Sequence, residues 1–326
     1  MLAIWLALGC RGSEAPPSPP PTVQEAPEPR DLASALGMSK LLRAPLAVRE
    51  GTVLPYPTYT VRPVSLEVFD DFWISGALWL PATEGPHPGL LVAHGHFGEG
   101  KSSGESQAPA HAMAARGWAV LALDTPGVEE SNVPHRQIHH EAGAKGRALL
   151  LAAGTSAMAV QLHGLQAGLD FLERRPDVSR IAVTGASGGA VQSLFLLKVD
   201  PRPAAAVLAS PVSMPRKEGS GGCACDAIPG WSGPDAAFLS DLERPTLWLS
   251  ELDQAAPAGF PPSATWEVHA GPHGYSVPMV QRAASWLDQQ FERPDAGPIP
   301  NPIPHTPSTS LMSPEIGAAG LADLVP

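Results

Sequence analysis

The chain has 326 residues, of which 44% are apolar and only 16% charged, with a formal net charge of −11 at pH 7. That length and apolar content support one large α/β domain or two small ones, with ample material for a core. The acidic balance and the lack of any Lys/Arg cluster exclude a surface that tracks nucleic-acid phosphates or anionic lipid.

The chain opens MLAIWLALGC, a short apolar run ending in Leu8-Gly9-Cys10, followed by a Pro/Ser-rich stretch through residue 30. The run is too short to span a bilayer. It resembles a bacterial lipoprotein signal, in which the cysteine after a small residue is lipidated and becomes the mature N-terminus. It departs from such signals in lacking a basic leader and in carrying Ala7 where Leu is usual. The resemblance implies export and membrane attachment through a lipidated Cys10, with residues 11–30 as a polar tether. The alternatives are a soluble periplasmic or secreted protein, or a cytoplasmic one if the segment is no signal. Residues 31–293 read as the globular domain. Residues 294–326, proline-rich and without core-forming periodicity, are expected to be a disordered tail.

Within the domain, residues 64–81 alternate apolar and polar around Asp70-Asp71, which predicts a two-stranded hairpin at a sheet edge. Residues 89–96 predict a buried strand running into a Gly turn, and residues 117–127 a second buried strand ending in Asp124. Between them residues 108–117 fit a helix closed by Gly117. Residues 155–175 put Leu162, Leu165, Leu169 and Leu172 on one helical face, with Thr155 as N-cap. A strand at 181–184, a Gly-rich turn and a helix carrying Val191, Leu194 and Phe195 follow. Further strands are expected at 204–211, 245–250 and 264–270, and an amphipathic helix at 277–291. Buried strands alternating with helices make the fold class α/β, with a mostly parallel, doubly wound sheet and an antiparallel N-terminal hairpin.

The turn after the central strand, IAVTGASGGAVQSLF (181–195), nearly satisfies two motifs. A nucleotide-binding TGxxxGxG turn needs glycine where Val191 stands, so that the helix can approach a pyrophosphate. That fingerprint also belongs at a first strand, and no Tyr-x-x-x-Lys accompanies it: residues four beyond Tyr56, Tyr59 and Tyr275 are Thr60, Pro63 and Met279. The dehydrogenase reading fails. Gly185-Ala186-Ser187-Gly188-Gly189 instead satisfies Gly-x-Ser-x-Gly, in which small flanking residues allow a sharp strand-to-helix reversal beneath a nucleophilic serine.

A serine needs a base and an orienting carboxylate, which follow in the order Ser, Asp/Glu, His on this type of scaffold. Asp253 lies just past a strand end and His273 in a Gly/Pro loop after the last strand. Glu251 and His269 are the rivals. Glu251 follows its strand very directly and His269 falls in or at the end of a strand pattern, so Asp253 and His273 are preferred as the catalytic pair. An oxyanion hole requires backbone N–H donors, each worth about 3 kcal/mol in the transition state. Gly188, after the nucleophile, supplies one, and His96 in AHGHFGEGK supplies the second through its backbone.

Together HGHFGEGK, GWAVLALDTPG, RIAVTGASGGA and GPHGYSVPM resemble the α/β-hydrolase superfamily over residues 50–292, most of all its acetylxylan esterase and dienelactone-hydrolase-like branch. The sequence departs from that branch at Ala190, where a third glycine is frequent, and at His96, where an aromatic is. The resemblance implies a serine hydrolase of short-acyl carboxylic esters, acetylated carbohydrates among them, needing no metal or organic cofactor. It also implies a lid between the sixth and seventh strands, in which Cys223, Cys225 and Trp231 line the substrate pocket. A strained Cys223–Cys225 disulfide and two free thiols are both compatible with that spacing. The alternatives are a peptidase of prolyl-oligopeptidase type, disfavoured because about 50 preceding residues are too few for a gating propeller, and a non-catalytic binding protein on the same fold. His135 and His139 have metal-ligand spacing, but Pro134 and nearby glycines favour a loop that contacts substrate.

Overall fold

The computed structural model describes residues 32–126, 128, 144–211, 239–251, 256, 259–314, 319 and 321–325. Among them ten strands form one mixed sheet: β1 (Val48–Glu50), β2 (Leu54–Pro55), β3 (Tyr59–Phe69), β4 (Phe72–Pro81), β5 (His87–Ala93), β6 (Ala119–Leu123), β7 (Val178–Ala186), β8 (Pro203–Ala209), β9 (Thr246–Ser250) and β10 (Ala264–Val268). Their order is β1-β3-β4-β6-β5-β7-β8-β9-β10, with β2 also paired to β3. Strands β5 to β10 run parallel to one another. Strands β1 to β4 pair antiparallel and join the rest through β4 against β6. The hairpin expected around Asp70-Asp71 is present, and Asp71 takes a positive φ of 53° to make the turn.

The parallel strands are hydrophobic on both faces because helices cover both. β5 sends Leu91 and Ala93 to one face, with Leu121, Leu123, Val183 and Leu208 from its neighbours. It sends Leu90 and Val92 to the other, with Val120, Ala122, Ala182 and Val207. Helices α4 (Ala157–Glu173) and α5 (Gly188–Val199) close the first face, and α2 (Gly104–Ala115) and α6 (Val277–Gln290) the second. Two shorter helices, α1 (Leu32–Ala35) and α3 (Ala144–Ala152), are the other α-helices among the described residues. Leu162, Leu165, Leu169 and Leu172 of α4 are all buried, as their spacing demands.

Local signals shift some boundaries. Helix α2 begins four residues before its expected start, because Ser103 Oγ accepts the Ser106 N–H and caps it upstream of Pro109. The α4 cap is Ser156, whose Oγ accepts from Ala159 N–H at 3.1 Å, and not Thr155.

The larger correction concerns the tail, expected to be disordered. Residues 294–314 lie on the domain, with Leu311 fully buried and Thr306 and Ile299 nearly so. The physical reason is point anchoring rather than periodic packing. The Gln107 side chain clasps the backbone of Thr306, accepting its N–H at 2.6 Å and donating to its carbonyl at 2.9 Å. Thr306 Oγ1 sits 2.7 Å from the Tyr56 hydroxyl and 3.1 Å from Nε2 of buried His111. Farther on, Ser313 donates to the Val64 carbonyl and Ser65 to that of Pro314. The domain therefore continues past residue 293.

Candidate active site

Parallel, registered strands end together, so the residues that follow them share one edge of the sheet. Ala93 pairs with Gly185, Ala186 with Ala209, Ala209 with Leu249, and Val268 with Ser250. The next residues along the chain are His94, Ser187, Ser210, Glu251 and His269. Topology alone thus gathers one polar residue from each of five strands.

Ser187 occupies the reversal between β7 and α5 with φ 57° and ψ −121°, a conformation that non-glycine residues avoid. Such strain persists only where its surroundings enforce it. Here the helix runs tightly against the neighbouring strand: a Cβ on Gly189 would sit 2.2 Å from the Ala93 carbonyl oxygen, and one on Gly185 2.5 Å from Gly189. Only glycine fits at either position. The Ser187 N–H is held by the Ala209 carbonyl at 3.0 Å. Its side chain makes no capping bond to the helix it begins, although serine at that position usually does. Nearly buried, the residue is fixed by its backbone alone.

The loop after β5 lies against the first turn of α5. Gln192 Nε2 donates to the His94 carbonyl at 2.9 Å. The His96 ring covers Gly188 so closely that a Cβ there would meet its Cε1 and Nδ1 at 2.7 Å. Residues 96 and 188, the two expected oxyanion donors, are therefore adjacent. The His94 ring is a strut: Nε2 lies 2.7 Å from the Phe97 carbonyl and Nδ1 3.3 Å from Thr125 Oγ1. Burial pushes its pKa down to about 4, against the opposing pull of Asp124, so the ring is neutral. Beneath the loop, Lys101 and Asp124 form a buried ion pair, Nζ to Oδ2 at 2.9 Å, which Ser75 joins by hydrogen-bonding Asp124. Asp124 also accepts the Lys101 backbone N–H.

Across the edge, His273 Nδ1 lies 2.7 Å from Glu251 Oε1. Among the described residues the carboxylate partner of His273 is thus Glu251, which the sequence ranked second. Asp253 lies outside the described residues. Glu251 reaches the ring from the position directly after β9 because glutamate has one more methylene than aspartate. Burial acts to raise the Glu251 pKa, but hydrogen bonds from His273, its own backbone N–H and Ser210 outweigh it, and the carboxyl stays below the usual glutamate range. The ring of His273 keeps 42% of its side-chain exposure, whereas Glu251 keeps 11%.

The loop that carries His273 is tied on both sides. The Tyr275 hydroxyl, fully enclosed, meets Thr184 Oγ1 at 3.0 Å, and Thr184 donates to the Val207 carbonyl at 2.8 Å. The Ser210 hydroxyl binds the Gly274 backbone. Neither anchor has a sequence signature, since each joins residues far apart in the chain. His269, the rival base, instead points Nε2 toward Glu267 at 3.4 Å, and Glu267 pairs with Arg282. That is a structural role. Cys10, Cys223, Cys225, Trp231, His135 and His139 lie outside the described residues.

No protein-family model matches the chain, and no curated protein does. Solved structures do. The "Methylesterase BT1017" aligns at 20% identity and TM-score 0.69, over 88% of this chain and 70% of its own. The acetyl xylan esterase from Paenibacillus sp. R4 aligns at 18% identity and TM-score 0.58, over 83% and 98%. Acetyl Xylan Esterase 1 from Thermoanaerobacterium sp. JW/SL YS485 aligns at 14% and 0.57, over 80% and 94%. The fold is that of the α/β-hydrolases.

Proposed function

We propose that this chain is a serine hydrolase of carboxylic esters, acting on short acyl groups such as the acetyl groups of acetylated carbohydrates. The observation that carries the reading is the strained Ser187 on the β7–α5 reversal, at the same sheet edge as a histidine bonded to a carboxylate. The names of the similar structures, acetyl xylan esterases and a methylesterase, support ester hydrolysis as the reaction class.

In the proposed mechanism, Glu251 accepts the Nδ1 proton of His273 and so leaves Nε2 as the basic nitrogen. His273 Nε2 removes the Ser187 proton as Oγ attacks the ester carbonyl carbon. The tetrahedral oxyanion is bound by the backbone N–H groups of Gly188 and His96. The imidazolium then protonates the departing alkoxide, the C–O bond breaks, and an acyl-Ser187 ester remains. Water, deprotonated by the same ring, releases the carboxylic acid and restores the serine. The ionised Glu251 stabilises the imidazolium at each passage. This assignment moves the acid from Asp253 to Glu251. A lipidated Cys10 would hold the domain at the cell envelope on its proline-rich tether, and a Cys10→Ser variant released from membranes is the corresponding check.

The test is hydrolysis of p-nitrophenyl esters across acyl lengths and of acetylated xylan by wild type and Ser187→Ala. Turnover falling with acyl length and lost by at least about 10³-fold in the variant supports the reading. Equal activity in the two overturns it.

A further inference from the structure

Ser210 has no part in bond making, yet it ties the strand that ends at Glu251 to the loop that carries His273. It is fully buried at the end of β8 and adopts φ 42°, one of few positive values outside glycine among the described residues. Its N–H donates to the Leu249 carbonyl at 2.8 Å, locking it beside the end of β9. Its hydroxyl lies 2.7 Å from the Gly274 carbonyl oxygen and accepts the Gly274 N–H at 3.3 Å. Ser210 thus joins the end of β9, through its N–H, to the residue following His273, through its hydroxyl.

We propose that Ser210 is a positioning residue that sets the distance and angle between Glu251 and His273. The inference rests on the catalytic reading of Ser187, Glu251 and His273. The physical case is one of connectivity. His273 sits in a loop between Gly271 and Gly274, which add no stiffness of their own, and its ring is exposed. A 2.7 Å bond between a loop histidine and a carboxylate one residue beyond a strand needs something that references one to the other. Among the described residues Ser210 is bonded to both segments, to Leu249 two residues before Glu251 through its N–H and to Gly274 through its hydroxyl. The backbone strain at φ 42° is the cost of aiming that hydroxyl inward, since serine tolerates this region poorly and glycine does not.

Two substitutions separate the hydroxyl from the backbone. Ser210→Gly removes the hydroxyl and relieves the positive φ; Ser210→Ala removes the hydroxyl and keeps the strain. The expected result is that both lose kcat by about tenfold or more, as small misplacements of catalytic groups do, while KM stays within about twofold. A sharp downfield resonance of the His273 Nδ1–H is expected in wild type, and in both variants it should broaden or shift. Thermal unfolding run alongside should show Ser210→Gly folded. A Ser210→Gly enzyme with wild-type kcat and an unchanged Nδ1–H resonance would overturn the proposal, even if Ser210→Ala were impaired. Ser187→Ala, assayed in the same series, distinguishes the two failures: if it retains activity the catalytic reading falls, and if it alone is dead only the role of Ser210 falls.

Discussion

At the level of single residues, the proposed nucleophile and base stand out in the sequence because their neighbours are glycines and prolines that mark strand ends. The proposed acid does not. Asp253 and Glu251 stand two residues apart at the same strand end, and spacing cannot tell a short side chain farther out from a longer one closer in. Among the described residues Glu251 Oε1 lies 2.7 Å from His273 Nδ1, which is why the proposed mechanism takes Glu251 as the acid. Glu251→Gln keeps the shape but offers an amide that favours the wrong imidazole tautomer, so kcat should fall by about 10³- to 10⁴-fold. Asp253→Asn should leave kcat within about threefold, and steady-state kinetics on the two variants checks both. The pH profile follows from the sign of the Glu251 shift. Its folded pKa is depressed, so the carboxylate remains ionised as pH falls into the ordinary carboxylate range. The acidic limb of kcat/KM should therefore carry no second proton from Glu251, so its slope should not exceed one.

At the level of elements, strands and long helices could be read because burial on both faces leaves unbroken apolar runs, as in Leu90–Ala93 and Ala119–Leu123. The Gly-x-Ser-x-Gly reversal was visible too, since close approach leaves a compositional trace: Gly185 and Gly189 have no space for a Cβ. What positions the loop after β5 left no such trace. Lys101 looks in sequence like a solvated loop lysine, yet it is 1% exposed and paired with Asp124 from the end of β6. Breaking one partner of a buried pair strands the other charge, which costs about 3–5 kcal/mol. Lys101→Met should accordingly lower stability by about 3 kcal/mol or more in urea unfolding at pH 7.5. The loss of loop geometry should also reduce kcat before global unfolding. A double replacement, Lys101→Met with Asp124→Leu, should recover most of the stability, because the ionic demand is removed from both sides. A single variant as stable as wild type would mean the pair is not desolvated.

At the scale of the whole molecule, three buried histidines make the fold sensitive to acid, and one of them, His111, also anchors residues 294–314. The docking of residues 294–314 is not legible in the sequence because proline-rich chain carries no hydrophobic period; its anchors are Gln107, His111 and Tyr56, each an ordinary polar position in the sequence. His111 is fully buried, with Nδ1 at 2.8 Å from the Tyr59 hydroxyl and Nε2 facing Thr306 and Gln107. Burial, with a smaller contribution from His305, pushes its pKa down to about 4, and burial does the same to His94 and lowers His163. In the unfolded chain these rings titrate near the ordinary value of about 6.5. The folded state therefore binds fewer protons than the unfolded state between about pH 6.5 and 4. Stability is full above that window and falls as pH drops through it, by at most about 3 kcal/mol for each strongly shifted ring. Urea midpoints measured at pH 7.5 and pH 5 should show the decline with no change in the m-value. His111→Gln, which cannot charge but keeps a donor and an acceptor for Thr306 and Tyr59, should be less stable at pH 7.5 through imperfect packing, yet lose less on acidification. If the variant and wild type lose stability equally between the two pH values, His111 is not among the groups that carry the acid sensitivity.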